Sequence, residues 1–133
     1  MPYFKDEDEV YRSIGGIFTE VLADPELGAE FKDSEVIMGL HFTGPDSRLV
    51  IDAVEGKVYT GDECDSGPTP NIEMFMTADI SHRFWLGQVN VSQALAKGQM
   101  RAKGPVPTIL KLVPIASKVF PRYQKMIDAR TDV

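Results

Sequence analysis

The sequence has few of the residue types on which several common functions depend. Its 133 residues include two histidines and one cysteine, Cys64. A lone cysteine forms no internal disulfide and no zinc site by itself, and it is typical of a reducing compartment. We therefore predict a chain without disulfides, metal ions or other cofactors, and a cytoplasmic location.

Long apolar runs without charge are also missing. The most apolar segment, residues 103–120, contains Lys111 and Lys118 together with three prolines. A membrane-spanning helix needs about 20 apolar residues in succession. The chain starts with MPYFKDEDEV, which has acidic residues where a secretory signal has lysine and an apolar stretch. The sequence therefore predicts neither a membrane span nor a secretory signal.

Basic residues are outnumbered by acidic ones, and the formal net charge is −6. This balance argues against a general nucleic-acid binder, which presents clustered lysine and arginine to phosphates. The charge is also uneven. Residues 1–35 hold 3 Lys or Arg and 10 Asp or Glu, whereas residues 99–133 hold 7 and 2. The basic C-terminal segment is either solvated surface or a contact for an anionic head group.

The composition is typical of a globular domain, which we place at residues 1–133. Hydrophobic residues make up 43% of the chain and charged residues 26%, so neither disorder nor a membrane-embedded protein is indicated. A domain of this length buries roughly two-thirds of the surface of its unfolded chain. The chain is therefore long enough to build a sizeable core.

Helical periodicity appears first at the N-terminus. Apolar residues spaced three and four apart predict a helix over residues 7–23, with Asp6 or Asp8 as its N-cap. A short second helix is predicted over residues 25–31, because proline suits the first turn of a helix. Two further short helices are predicted later in the chain, one capped by Asp79 and one capped by Asn90.

Strand periodicity separates these helices. Apolar and polar residues alternate over residues 36–43, 49–54 and 57–61, with turn residues between them, which predicts three consecutive antiparallel strands. A methionine-rich fourth strand is predicted at residues 72–77 and a fifth at residues 99–103. The sequence therefore predicts an α+β domain.

The C-terminal segment predicts a helix with more apolar surface than an ordinary surface helix needs. A second apolar row lies about 100° from the first, and together they cover an arc of more than about 180°. Pro114 must kink or divide this helix. From geometry alone, the second row fills core, meets a partner or lines a cavity. The first row is Val106, Ile109, Leu110, Val113, Ala116, Phe120, Tyr123 and Ile127, and the second is Leu112, Ile115, Val119 and Met126.

One segment carries a family resemblance, MFMTADISHRFWLGQVNVSQALAKGQMRAKGPVPTILKL, residues 74–112. An Asp-led helix follows a strand at Asp79, and a Gly-x-x-Asn link joins two helices at residues 87–90. The second helix ends in Ala-Leu-Ala-x-Gly at Gly98, and a strand runs into Lys-Gly at residues 103–104. With the order of the predicted elements, this segment resembles the sterol carrier protein type-2 family.

The resemblance implies a five-stranded, mainly antiparallel sheet covered by helices, with a hydrophobic tunnel between the sheet and the helical layer. It implies non-enzymatic binding and intracellular carriage of a fatty acid, a fatty acyl-CoA or a sterol-like lipid, with transient membrane contact. We expect loose selectivity, because methionines repack around different ligands. The predicted lining residues are Met74, Met76, Phe84, Trp85, Leu95, Leu110, Leu112, Val113, Ile115 and Val119.

Three basic side chains near the end of the fifth strand and the start of the last helix, Arg101, Lys103 and Lys111, are candidates for contact with a carboxylate or phosphate head group. Two alternatives to lipid carriage remain open. The apolar C-terminal helix can pair with a second copy of the chain, or the protein can present lipid substrates to an enzyme as an accessory subunit.

Residues suited to catalysis are poorly arranged in the sequence. Ser81 and His82 are adjacent, and adjacent helical residues do not face one another, whereas a nucleophile needs its base within hydrogen-bond reach. His41 falls on the strand face opposite to the apolar one. The acidic turn around Cys64 matches no calcium loop, and its carboxylates are expected to raise the pKa of the thiol. We therefore predict no enzymatic activity and no catalytic residues.

Overall fold

The computed structural model describes residues 2–129. Helices and strands alternate along the chain much as the periodicity predicts, and the α+β class is confirmed. The elements are α1 (Glu7–Val10), a π-helical segment (Tyr11–Gly15), α2 (Gly16–Ala23), α3 (Pro25–Asp33), β1 (Ile37–Thr43), β2 (Ser47–Asp52), β3 (Lys57–Thr60), a 3₁₀-helix (Gly61–Ser66), β4 (Ile72–Thr77), α4 (Ala78–Trp85), α5 (Val91–Ala96), β5 (Met100–Lys103), α6 (Val106–Ser117) and α7 (Phe120–Asp128).

The five strands form one sheet in the order β3-β2-β1-β4-β5. The pairs β1–β2, β2–β3 and β4–β5 are antiparallel, which confirms the mainly antiparallel prediction. The pair β1–β4 is parallel, so the sheet is mixed. The reason lies in the path of the chain. After β3 at one edge, residues 61–71 cross to the free side of β1, and β4 then runs in the direction of β1.

Alternation along the strands separates two faces of the sheet. The inner face packs against the helices and the outer face points the other way, because successive side chains of a strand project to opposite sides. The inner face includes Met38, Leu40, Met74, Met76 and Met100, and the outer face includes His41, Glu73, Phe75, Arg101 and Lys103.

The predicted N-terminal helix is present, but its middle is wider than an α-helix. Asp6 caps it, with its carboxylate accepting a hydrogen bond from the Glu9 N–H at 2.9 Å. The π-helical turn of residues 11–15 ends at Gly15, whose backbone lies close to the side chains of Leu49 and Thr60. A Cβ at Gly15 would be in ordinary van der Waals contact with these two side chains, at 3.4 Å and 3.6 Å. The helix therefore packs directly against the sheet.

The caps of the two middle helices differ in outcome. Asn90 caps α5, because its side-chain oxygen accepts from the Gln93 N–H at 3.0 Å, as predicted. The prediction for Asp79 is wrong. Thr77 caps α4 through a hydrogen bond from the Ile80 N–H, and the Asp79 carboxylate accepts from the Tyr3 N–H at 2.8 Å. A hydroxyl one residue before the helix competes successfully with the acid that follows it.

The predicted C-terminal helix is divided in two, but not at Pro114. That proline lies inside α6, which continues to Ser117. The chain turns at residues 118–119, and Pro121 then lies in the first turn of α7, where its missing N–H costs nothing. The two apolar rows are therefore continuous only up to this break.

Basic residues near the C-terminus form ion pairs with acidic residues near the N-terminus. Lys118 Nζ lies 2.7 Å from the Glu30 carboxylate. Arg122 pairs with Asp24, and its other terminal nitrogen lies 3.8 Å from the Glu20 carboxylate. Part of the basic C-terminal region is therefore packed against the acidic helices α2 and α3. Within the part of the chain that the structure describes, no helix is long and apolar enough to cross a membrane.

Candidate functional site

An apolar cavity lies between the inner face of the sheet and the helices. Its volume is about 80 Å³. Strands β1, β4 and β5 form its floor, α6 forms one wall, and residues of α2 to α5 complete it. This is the position that the predicted tunnel would occupy.

The floor of the cavity is rich in methionine. Met38 comes from β1, Met74 and Met76 come from β4, and Met100 comes from β5, with Leu40 between them. Strand register brings them together, since Met74 pairs with Leu40 and Met76 pairs with Met100. Methionine is unbranched and polarizable, so a floor of this composition can change shape at little cost.

Aromatic rings build the end of the cavity under α4. Trp85 packs edge-on against Phe18 with ring centroids 5.2 Å apart, and edge-on against Phe84 at 4.9 Å. Phe84 contacts Phe120 in the same geometry at 5.4 Å. Edge-to-face rings attract one another electrostatically, and these contacts stabilise this end of the cavity.

The wall from α6 uses one helical face. Ile109, Leu112, Val113 and Ala116 line the cavity, and they are spaced by three, one and three residues. The wall is positioned by the link from β5, where Gly104 has φ +120° and approaches the backbone of residues 71–72. A side chain at this position is strained, so glycine fits the sharp entry into α6.

Six of the ten predicted lining residues border the cavity. The other four lie elsewhere. Leu95 borders a shallow groove along β5, and Leu110 is 38% exposed on the outer side of α6. Val119 is 1% exposed and belongs to the core at the turn before α7, and Ile115 packs against the core without reaching the cavity. The six are Met74, Met76, Phe84, Trp85, Leu112 and Val113.

Nine residues outside the predicted set also line the cavity. Ile109 and Ala116 follow the same helical spacing as Leu112 and Val113, so a single face of α6 is the signal that identifies them. Met38, Leu40 and Met100 could be found from strand alternation. The remaining four, Phe18, Phe31, Ser81 and Val91, come from separate helices, and no local pattern marks them.

The predicted head-group residues lie on the other side of the sheet. Arg101 and Lys103 project from the outer face of β5, with their cationic groups 5.4 Å and 5.8 Å from the centroid of the Phe75 ring. Lys111 is exposed on α6. A head-group role for these side chains stays a prediction, and for Arg101 and Lys103 it now requires a ligand that reaches around the β5 edge.

Ser81 and His82 face different surroundings. Ser81 lines the cavity, whereas the His82 Nδ1 lies 2.7 Å from the Tyr123 hydroxyl of α7. The Tyr3 ring stacks on the imidazole at 3.7 Å. Burial lowers the pKa of His82, and the nearby Asp79 carboxylate opposes this effect. The pair is therefore not assembled as a nucleophile and its base.

The other histidine is also engaged on the outer face. His41 Nε2 lies 2.9 Å from the Glu73 carboxylate, and its ring stacks on Phe75 at 4.5 Å. Both partners are roughly one-third exposed, so this contact belongs to a partly solvated surface. It lies away from the cavity, as the strand alternation of His41 predicts.

The acidic turn around Cys64 forms the 3₁₀-helix of residues 61–66. Arg48 of β2 binds the Asp65 carboxylate with two hydrogen bonds of 2.9 and 3.0 Å, and Asp62 lies 3.6 Å away. The pKa of the Cys64 thiol is raised, as predicted, but burial is the main cause and the neighbouring acids contribute less. Residues 2–129 contain no cluster of three or more His, Cys, Asp or Glu side chains that could hold a metal ion.

Comparison with known proteins gives matches only at the level of structure. No protein-family model and no curated protein matches the sequence. A sterol carrier protein domain of Helicoverpa armigera is similar with a TM-score of 0.66 and 19% identity, covering 85% of this chain and 89% of that chain. Sterol carrier protein 2 from Yarrowia lipolytica is similar with a TM-score of 0.65 and 18% identity, covering 84% and 94%.

A third similar structure is that of a sterol carrier protein 2 from Aedes aegypti in complex with palmitate, a C16 fatty acid. It has a TM-score of 0.57 and 22% identity, and the match covers 84% of this chain and 94% of that chain. The chain therefore has the fold of sterol carrier protein 2 domains.

Proposed function

We propose that this protein binds the apolar chain of a lipid in the cavity and carries it through the cytoplasm without changing it chemically. The observation that carries the proposal is the cavity itself, which is apolar on nearly every side and has an adaptable methionine floor. The palmitate bound to the Aedes aegypti protein of the same fold supports this assignment. Fatty acids, fatty acyl-CoA and sterol-like lipids are the candidate ligands.

The cavity must enlarge to take a long chain. Its volume of about 80 Å³ is smaller than an engineered cavity of about 150 Å³ that takes up benzene. A chain of about 16 carbons gains roughly 12 kcal/mol from leaving water, before the costs of association and side-chain rearrangement. That gain is large enough to displace methionine side chains, and it leaves ordinary micromolar to nanomolar affinity.

The first test is chemical. Small molecules extracted from the purified, denatured protein are identified by mass spectrometry, with an unrelated protein expressed in the same way as control. We expect near-stoichiometric lipid in the first sample alone. If no lipid is enriched, and the protein also fails to bind a pyrene-labelled fatty acid, lipid carriage is wrong.

The second test compares two substitutions on α6. Leu112→Trp places a larger side chain in the cavity, whereas Leu110→Trp makes the same change on the exposed side of the helix. We expect at least a tenfold loss of affinity for the pyrene-labelled fatty acid in the first variant and little change in the second. Equal affinities in both variants would place the ligand outside the cavity.

A second candidate function, a protein-interaction module, has one observation in its favour. Val106 and Leu110 are 43% and 38% exposed at the start of α6. In our main proposal this surface makes the transient membrane contact through which lipid enters. In the alternative it is covered in a homodimer or by an enzyme to which the protein presents lipid. A lipid-free dimer in sedimentation analysis would support the alternative, and a lipid-bearing monomer supports carriage.

A further inference from the structure

One hydroxyl group lies in the otherwise apolar cavity. Ser81, in the second turn of α4, lines the cavity and is 3% exposed. The other lining side chains are aliphatic, aromatic or methionine, and the indole N–H of Trp85 is their single polar group. An indole N–H can only donate a hydrogen bond, whereas the Ser81 hydroxyl can donate and accept.

The hydroxyl of Ser81 has no partner within residues 2–129. The other buried polar side chains are satisfied. Ser47 Oγ donates to the Pro45 carbonyl at 3.0 Å, Asp52 accepts from two backbone N–H groups, and Ser13 also has a partner. No fully enclosed side-chain nitrogen or oxygen among these residues lacks a partner. Ser81 Oγ is therefore not fully enclosed by protein atoms, and Ser81 is one of the residues that line the cavity.

A helical hydroxyl has a local alternative that Ser81 does not use. Serine and threonine commonly donate to the carbonyl four residues earlier in a helix, and Thr19 does so here to Gly15 at 2.9 Å. The Ser81 hydroxyl is thus free to meet another group. A ligand oxygen in the cavity would give this hydroxyl a hydrogen-bond partner in apolar surroundings, where a hydrogen bond is stronger than in water.

The residues that line the cavity determine which type of ligand oxygen can bind there. The cavity has no lysine, arginine or histidine in its lining, so a buried carboxylate or phosphate would lack a counter-charge and lose its hydration. A neutral hydroxyl or carbonyl oxygen has no such penalty. We propose that Ser81 Oγ hydrogen-bonds a neutral oxygen of the ligand, so that the site prefers an apolar molecule with one hydroxyl or carbonyl group over a plain hydrocarbon chain.

This inference rests on the proposed function, and matched ligands test it. The experiment measures how well four small ligands compete with a pyrene-labelled fatty acid for the protein. The ligands are 1-octanol, 2-octanone, nonane and octanoate. Their affinities are compared between the wild-type protein and the variants Ser81→Ala and Ser92→Ala. Ser92 lies exposed on α5 and serves as the control. We expect Ser81→Ala to weaken 1-octanol and 2-octanone by about fivefold, the effect of one hydrogen bond, and to leave nonane and octanoate unchanged.

Thermal unfolding separates recognition from a structural role. Because the hydroxyl makes no hydrogen bond to the described protein, Ser81→Ala is expected to retain or raise the melting temperature. If all four ligands weaken together, or if the melting temperature falls with them, Ser81 supports the fold and the inference is wrong. If Ser81→Ala changes the affinities for 1-octanol and nonane equally, the cavity binds lipid without recognising its oxygen, and the inference is wrong. If the wild-type protein binds neither the fatty acid nor any ligand, the proposed function fails as well.

Discussion

His82 is a buried titratable side chain that links three parts of the molecule. It projects from α4, lies against the Tyr123 hydroxyl of α7, and is covered by the ring of Tyr3. Phe4 also packs edge-on against it at 5.4 Å. The N-terminal segment therefore closes over the imidazole and keeps it from water, and burial is the main cause of its lowered pKa.

The position of His82 predicts how stability depends on pH. Its pKa is lower in the folded chain than in the unfolded chain, where it is near 6.5. Below about pH 6.5 the unfolded chain therefore binds more protons, and acid favours unfolding. We expect the free energy of unfolding in urea to fall between pH 7.5 and pH 5.5 in the wild type, and to fall less in His82→Gln.

The control for this measurement is His41→Gln. His41 lies on the outer face of the sheet beside Glu73, away from the buried contact with Tyr123. If both variants keep the full pH dependence of the wild type, protonation of His82 is not the cause of the fall in the free energy of unfolding. The carboxylates of the chain would then account for it.

Helices α2 and α3 pack so closely that one glycine has no room for a side chain. A Cβ on Gly28 of α3 would lie 2.5 Å from the carbonyl oxygen of Leu22. We expect Gly28→Ala to destabilise the protein by about 2 kcal/mol, because backbone atoms must move to remove the overlap. Urea unfolding of the variant and the wild type measures the difference.

Gly16 provides a matched control in the preceding helix. It has helical φ and ψ, and a Cβ there would meet nothing within 4 Å. Gly16→Ala is expected to stabilise the protein by about 0.5 to 1 kcal/mol, because alanine loses less backbone entropy on folding. Destabilisation by both substitutions to the same extent would show that the close contact at Gly28 is not the cause.

Local rules predict the type of most elements better than their ends. The fourth strand has the predicted bounds, residues 72–77, because alternation and flanking turn residues are both local signals. The cap of α4 and the break before α7 were not predicted correctly. Thr77 and Asp79 are both good caps, and Pro114 and Pro121 can each end a helix. When two nearby residues can each cap or end a helix, the packing of the neighbouring elements decides which of them does so.

Ligand binding has a consequence for the whole molecule that depends on chain length. If the apolar chain is buried, affinity rises with each methylene by up to about 0.8 kcal/mol, or about tenfold for two methylenes, until the enlarged cavity is full. We expect saturated fatty acids of increasing length to bind more tightly and then reach a plateau. Displacement of the pyrene-labelled fatty acid measures this series, and equal affinities along it would contradict burial.

The same ligands are expected to stabilise the folded chain. A ligand that binds only the native state at 100 times its Kd adds about 2.7 kcal/mol. For a domain of this size that corresponds to a rise of roughly 10 °C in melting temperature. Thermal unfolding with and without palmitate measures the shift, and Leu112→Trp serves as the control because it is expected to reduce it.

Much of the site could be anticipated where one element carries the signal. Met74 and Met76 alternate on one strand, and Leu112 and Val113 lie on one face of one helix. Leu95, Leu110, Ile115 and Val119 have equally apolar side chains in equally regular patterns, yet they do not line the cavity. An apolar pattern indicates that a side chain avoids water, and it does not distinguish a packed neighbour from an empty space.

The amino-acid sequence is sufficient for the α+β class, the order of most elements, the low content of disulfide and metal ligands, and the excess of apolar surface near the C-terminus. These properties follow from composition and from periods of two and 3.6 residues, which are local. The parallel β1–β4 pair, the pairing of Lys118 and Arg122 with acidic helices, and the meeting of Phe18, Ser81 and Met100 around one cavity depend on tertiary structure. They join residues far apart in the chain, and only the packing of complete elements brings such residues together.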